Sequence, residues 1–527
     1  MGYVMNQTAT IHISTHLNNR VLHYLFLARV FFAGLLIPFG FAPFHFPGLT
    51  ILGIALLFAE LQRQTGQRAF LTGFVFGLSF FGFGVSWVYV SIHVYGHLNA
   101  ITSGLITLLF VIYLALYPAV VTLLYTKLAV KQSRLISCCL FSACWCLGEY
   151  FRSTLMGGFP WLLLGFGQID TPLQHLLPIV GLYGVGFLTC LSASFLVISA
   201  QSTKKNRILW LSSFIGILLI PSVLNHQQWS TVSEKPFSVG VIQANLSMRD
   251  KWDESLFWQL LENYKKGIDQ LIGKKNLIVM PESAIPLPVN YVTDFLDKIN
   301  EKATRTTSSI LLGIPQQTAE EEPYFYNSVI TLGAGKGDYL KQHLVPFGEF
   351  IPLPFEKLVH WLALPVANLK PGKKNQPLIQ INNHAIATLI CYELAYPELL
   401  RQQLPEAEWI VSVSDDGWFG HSLAMYQQLQ MAQVLSLQTS RYQVVANNDG
   451  LSSIVDTKGH ITASLKAFSS GILESNIYPA TGFTPWVYWG DKPALLFALL
   501  IILFAELPIR IKAIAAKQKR RYPYQPN

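Results

Sequence analysis

Long apolar runs broken by short polar turns fill the first 225 positions, and shorter apolar stretches closed by polar residues follow. The long runs predict membrane spans near 21–42, 48–62, 69–92, 100–125, 135–151, 173–200 and 208–225. Each is near or above the length that crosses about 30 Å of hydrocarbon, the second and fifth being the shortest. The opening run exceeds the apolar core of a secretory signal, and no small-residue cleavage site follows it, so it is expected to persist as a helix. A last apolar run at 493–508 follows Trp486, Tyr488 and Trp489, which suit an interfacial aromatic belt.

Between 226 and 488 the period changes. The segments PFSVGVIQANL, NLIVMPES, SSILLGIP, HAIATLICYE and EWIVSVSDD read as buried strands, each ending in polar or turn residues. Glu254–Ile272, Thr293–Arg305 and Ser422–Arg441 have helical length and spacing. Strands alternating with helices predict an α/β domain. The expected organisation is a seven-span membrane domain at 1–225, an α/β domain at 226–488, and a final span with a basic tail at 489–527.

Composition supports this division. Of 527 residues, 51% are hydrophobic and only 13% charged, and mean hydropathy is +0.36. Soluble domains carry roughly 25% charged residues, so a wholly soluble chain is excluded, as is disorder. The net charge of +8 is too modest, and too clustered at span ends, to suggest a nucleic-acid partner. Arg63 and Arg68, then Lys127, Lys131 and Arg134, then Lys204, Lys205 and Arg207 occupy alternate connections. A further basic cluster, from Arg510 to Arg521, follows the last run, whereas the connections after the first and third spans contain no Lys or Arg. The positive-inside rule makes the basic loops cytoplasmic. Eight spans then leave both ends inside and the α/β domain outside. Little chain remains for any further domain.

Five of the six cysteines (138, 139, 144, 146 and 190) fall in apolar spans, where a small buried hydrophobe is the ordinary role. Cys391 is the only cysteine of the α/β domain, so it has no intradomain disulfide partner. No Cys-x-x-Cys pair appears, so a zinc site has little support. Cys391 closes the strand-like run HAIATLI, at a junction that exposes a side chain and converges backbone N–H groups, as an acyl-accepting nucleophile requires. Glu282 closes another such run, and Lys341 precedes Glu349 by eight residues in YLKQHLVPFGEF. A thiol needs a base, and a tetrahedral intermediate needs a fixed cation or donors. No histidine follows Cys391 in a recognisable Cys-His protease pattern, so a papain-like dyad is a weak rival.

The PES around Glu282, the Lys341–Glu349 stretch and the CYE around Cys391 resemble the Glu-Lys-Cys triad of the nitrilase superfamily. The segments VIQANLSMRDKWD, YNS, YLKQHLVPFGEFIP, ICYE and DDGWFG resemble the apolipoprotein N-acyltransferases in particular. So do EYFRSTLMGGFPW and the GLYG at 181–184 in the membrane half. The resemblance implies a polytopic α-helical membrane bundle of about eight spans carrying an extracytoplasmic nitrilase-like αββα sandwich, in the bacterial inner membrane with the catalytic domain on the periplasmic side. It implies Glu282 as general base, and Cys391 as the nucleophile that carries an acyl chain as a thioester. Lys341, with the Tyr392 N–H, would stabilise the oxyanion; Glu349 would orient the lysine, and Glu393 would line the same pocket. The implied partners are a phospholipid acyl donor and a diacylated apolipoprotein acceptor whose free α-amino group receives the chain. A monomer without metal or organic cofactor is expected. Trp252 and Trp418 are candidates for lining the lipid entrance.

Two departures stand out. Asp415-Asp416-Gly417 replaces the usual Asn-Asp and small residue, and Val445 occupies a position where an Arg is expected. Both bear on pocket electrostatics rather than on reaction class. Glu149 and Arg152, three residues apart near a span end, are expected to form a structural ion pair. The alternatives are a membrane-tethered amidase using the same triad, which the triad alone cannot distinguish, and a transporter. The latter finds no inverted repeat and few intramembrane charges to support it.

Overall fold

The computed structural model describes residues 21–62, 64–318, 323–352, 357 and 369–521, with side chains only up to 506 in the last stretch. Arg63, and the side chains of the basic cluster from Arg510 to Arg521, lie outside the described residues.

Among the described residues, four helices are long and apolar enough to cross a membrane: Val21–Gly40, Ala100–Leu128, Pro172–Ala200 and Lys204–His226. A fifth span is made if Gln67–Gly84 and Trp87–Tyr95, bent by 55° at their junction, are one crossing. The other predicted spans are also helices, but Pro47–Leu61 has only 15 residues. Arg134–Thr154 carries Arg134, Glu149 and Arg152, and the last run lies within Lys492–Arg521. Apolar side chains such as Ile101, Leu109 and Ile208 project outward from these helices, as a lipid-facing surface requires.

The α/β domain contains two facing sheets. One orders its strands Gly471–Ile477, Phe237–Gln243, Leu277–Val279, Ser309–Gln317, Phe325–Gly333 and Asp338–Leu340. The other runs Ile461–Ser464, Ser453–Val455, Gln443–Asn447, Trp409–Ser414, His384–Ile390, Ile379–Ile381 and Gly335–Lys336. The centre of each is parallel. Parallel strands covered on both faces read as continuous apolar runs, and the alternation within each run assigns the faces. Val239, Val241, Leu311, Ile390 and Val411 fill the space between the sheets. Ile242, Ile278, Ile310 and Leu312 face the helices Phe257–Leu271 and Thr293–Arg305.

The outer face of the second sheet is covered differently. Ala387, Leu389, Ile410 and Val445 pack with the Ala424–Thr439 helix into the same hydrophobic core as the membrane helices. That helix is buried almost all round. Its Gln427 accepts from Trp161 Nε1 at 2.6 Å and donates to the Gly84 carbonyl at 3.1 Å. The membrane part therefore serves as a wall of the sandwich. The predicted helix at 422–441 is shorter than expected because Ser440 adopts φ +55° and stops it. The one predicted over 254–272 begins as a 3₁₀ turn, Glu254–Leu256.

Candidate active site

Glu282, Cys391 and Asp415 follow the carboxyl ends of parallel strands, the edge at which open parallel sheets bind ligands. Cys391 leaves its strand at φ +52°, a left-handed conformation that costs a non-glycine residue roughly 1–2 kcal/mol. Such strain persists only where the surroundings enforce it and is concentrated at functional sites. Ser283, at φ +45°, makes a similar turn after Glu282. This second turn needs Gly313, since a Cβ there would overlap the Pro281 carbonyl and the Glu282 Cα.

The charged side chains converge from the first sheet and the segment that follows its last strand, while Cys391 and the Asp415 N–H come from the second. Lys341 Nζ lies 2.8 Å from Glu349 Oε1 and 3.5 Å from Glu282 Oε1. Asn327 Nδ2 donates to the same two oxygens, at 2.6 Å to Glu282 and 3.2 Å to Glu349. Backbone N–H groups hold the outer oxygens: Val345 to Glu349 Oε2 at 2.8 Å and Asp415 to Glu282 Oε2 at 3.1 Å. Glu282, Lys341 and Cys391 are all buried. Burial alone would lower the Lys341 pKa, but Glu349 and Glu282 outweigh it and hold the ammonium charged. Burial pushes the Cys391 thiol up, and Glu282 adds to this while Lys341 opposes it. The arrangement thus keeps the proton on sulfur until a neighbouring base removes it, and offers a fixed cation to an oxygen that becomes negative.

Glu393 does not present its carboxylate to a pocket. It is fully buried and accepts from the N–H groups of Gln342 at 2.7 Å, Ile390 at 2.8 Å and His343 at 3.0 Å, with Tyr339 Oη at 3.1 Å. It ties the segment carrying Lys341 to the turn carrying Cys391. Burial raises its pKa to about 7, against the pull of its donors and Lys341. A carboxyl that binds its proton more tightly folded than unfolded loses stability as pH rises between the two pKa values. Glu393 should therefore lower stability as pH climbs from about 4.5 to about 7. In Glu393→Gln this slope should vanish from thermal unfolding curves, while an amide facing three N–H donors should cost about 1–3 kcal/mol.

The Tyr392 N–H opens the 3₁₀ turn Cys391–Ala395, where backbone donors have no intrahelical acceptor. Its side chain points to the membrane part. Tyr392 Oη donates to the Gly158 carbonyl at 3.2 Å, and Tyr396 Oη lies 3.0 Å from the carbonyls of Gly157 and Gly158. His343 packs against Tyr396 with centroids 3.7 Å apart and the rings tilted by 36°, and burial lowers its pKa to about 4. The loop they contact is gripped from behind. Arg152 donates to the carbonyls of Phe159 and Trp161, and Glu149 Oε1 accepts from the Leu164 N–H at 2.9 Å. The expected Glu149–Arg152 ion pair is not among the described contacts, because the returning loop supplies each side chain with backbone partners.

Trp418 is partly exposed, with its ring 5.8 Å from that of Tyr95. Beyond it an open cleft of about 810 Å³ is lined by Phe83, Trp87 and Tyr426 among others. Trp252 is half exposed. Its neighbour Lys251, passed over in the sequence, is buried and donates to the Glu282 carbonyl at 3.0 Å. Asn327 was likewise visible only as part of YNS. Val445 faces the membrane-side core, on the opposite face of its sheet from the core that contains Cys391.

The fold and this cluster define a membrane-attached enzyme of the carbon–nitrogen hydrolase class. The carbon-nitrogen hydrolase family matches residues 238–482, and the apolipoprotein N-acyltransferase N-terminal domain matches residues 33–195. An apolipoprotein N-acyltransferase of Methylococcus capsulatus is 34% identical over 88% of this chain and 92% of its own length. That of Coxiella burnetii is 34% identical over 90% of this chain and 98% of its own. The chain belongs to the apolipoprotein N-acyltransferase family and shares its acyltransferase activity.

Proposed function

We propose that the acyl group comes from a phospholipid and passes through a Cys391 thioester to the α-amino group of an S-diacylglyceryl-cysteine at a lipoprotein N-terminus. Glu282 takes the thiol proton as sulfur attacks the ester carbonyl. Lys341 and the Tyr392 N–H hold the oxyanion, with Glu349 orienting the lysine. Collapse of the intermediate breaks the ester C–O bond, and Glu282 returns the proton to the departing lysophospholipid alkoxide. In the second half-reaction the amine attacks the thioester, Glu282 receives the amine proton, and the thiolate leaves and is reprotonated. The observation that carries this reading is the buried Glu282–Lys341–Glu349 cluster acting on the Cys391 thiol. A dry site protects a thioester from water and favours the amine.

The same reading includes eight spans, with a membrane domain at 1–225, a catalytic domain at 226–488 and a final span and tail at 489–527. It places a monomeric protein in the bacterial inner membrane with the catalytic domain on the periplasmic side. Trp252 and Trp418 line the lipid approach. Both substrates lie in one leaflet, so the anchored domain searches a surface rather than a volume.

The test supplies purified enzyme with labelled phospholipid and a diacylglyceryl-cysteinyl peptide. Label is expected on the peptide with a free N-terminus and not on its N-acetylated counterpart. Release of free fatty acid at equal rates with both peptides would instead identify a hydrolase.

A further inference from the structure

We infer that Lys251 and Asp415 form a buried positioning pair that fixes Glu282 and balances the charge around it. The inference rests on Glu282 acting as the general base. Lys251 ends the short helix Met248–Lys251 and forms an ion pair with Asp415 Oδ2, both side chains being at most 3% exposed. The other Asp415 oxygen accepts from Asn448 Nδ2 at 3.2 Å and the Gly417 N–H at 3.3 Å.

Both members reach the same third residue. Lys251 Nζ donates to the Glu282 carbonyl at 3.0 Å, and the Asp415 N–H donates to Glu282 Oε2 at 3.1 Å. Lys341 and Asn327 hold Oε1 from the opposite side. Glu282 is thus held at its main chain and at both carboxylate oxygens. A buried ion pair is no better for stability than apolar residues of the same shape, so its doubled contact with the base points to alignment of that base. It also explains the departure at 415: an aspartate neutralises a lysine that would otherwise add a second positive charge beside Glu282.

The charged and titratable groups around Glu282 come from every neighbouring element: Lys341 and Glu349 from one sheet edge, Cys391, Asp415 and Asp416 from the other, Lys251 from its helix, and Asp449 behind Asp416. Removing one member of the pair leaves the other unbalanced. In Asp415→Asn the uncompensated ammonium favours ionised Glu282. The acid limb of the pH profile for acyl-enzyme formation should then move to lower pH, by about one unit. In Lys251→Met the uncompensated carboxylate should move the same limb upward by a similar amount. The double variant should return the limb near its original position but react on the order of tenfold more slowly, because the base is no longer aligned.

The measurement is the rate of labelling from radiolabelled phospholipid across pH, on full-length protein in detergent, with thermal unfolding as the folding control. Limbs that stay in place, or that move in the same direction in folded single variants, would overturn the inference. If Asp415→Asn does not fold, Lys251→Arg serves: it keeps the charge, so the limb should hold while the rate falls, and a displaced limb counts against the pair. Glu282→Gln separates the underlying reading. Loss of labelling there with unmoved limbs in the pair variants sinks only the pair; undiminished labelling removes Glu282 as base, and the inference with it.

Discussion

Cys391→Ala should abolish the acyl-enzyme and lower the rate of transfer on the order of 10⁴-fold or more, the scale seen when a covalent nucleophile is deleted. No neighbouring group can take over. The five other cysteines lie in the helices Arg134–Thr154 and Leu177–Ala200. Glu282 and Lys341 would remain as the proposed base and cation, without a nucleophile. Stability should change little, by about 1 kcal/mol or less, because alanine meets the same strain at φ +52° and removes a single buried atom. Incubation with labelled phospholipid should give hydroxylamine-releasable label on the native protein and none on the variant. Label that survives the substitution would place the acyl chain elsewhere and end the account.

Lys341→Ala should damage both folding and chemistry. It leaves Glu282 and Glu349 sharing one small buried space, with only the neutral Asn327 amide between them. An uncompensated buried charge costs about 3–5 kcal/mol. The sign with pH follows directly: like charges raise the proton affinity of the folded pair, so the deficit is greatest at high pH and shrinks as acidification neutralises one carboxylate. Thermal unfolding across pH checks this. Labelling should also fall, by about 10²–10³-fold, from loss of an oxyanion donor. A variant that unfolds early yet labels at the native rate would leave Lys341 a structural residue only.

The chemistry was more legible than its supports. Glu282 and Cys391 stood out because each closes a buried apolar run, and Lys341 because it precedes Glu349 in a polar stretch. Lys251 and Asn327 did not. Lys251 is 164 residues from Asp415, and no local pattern separates a lysine that will be buried from one that stays wet. Glu393 resembled a pocket residue because it adjoins the proposed nucleophile, but the N–H groups from which it accepts belong partly to Gln342 and His343. Helix spacing paired Glu149 with Arg152, whereas the loop Phe159–Leu164 folds back and takes both.

By itself, the order of apolar and polar residues determined that the chain joins a membrane-inserting half to an α/β half, since burial of continuous apolar runs leaves few other solutions. It also determined which strand ends carry the proposed catalytic groups, because a polar residue closing a buried strand must emerge at its edge. Only the tertiary structure decided how those groups are charged and held. That depends on which distant carboxylates, amides and ammonium groups share one water-poor space, and on a membrane part that packs against the outer face of one sheet. Electrostatic interactions strengthen as water is excluded, and exclusion belongs to the assembled fold rather than to any segment.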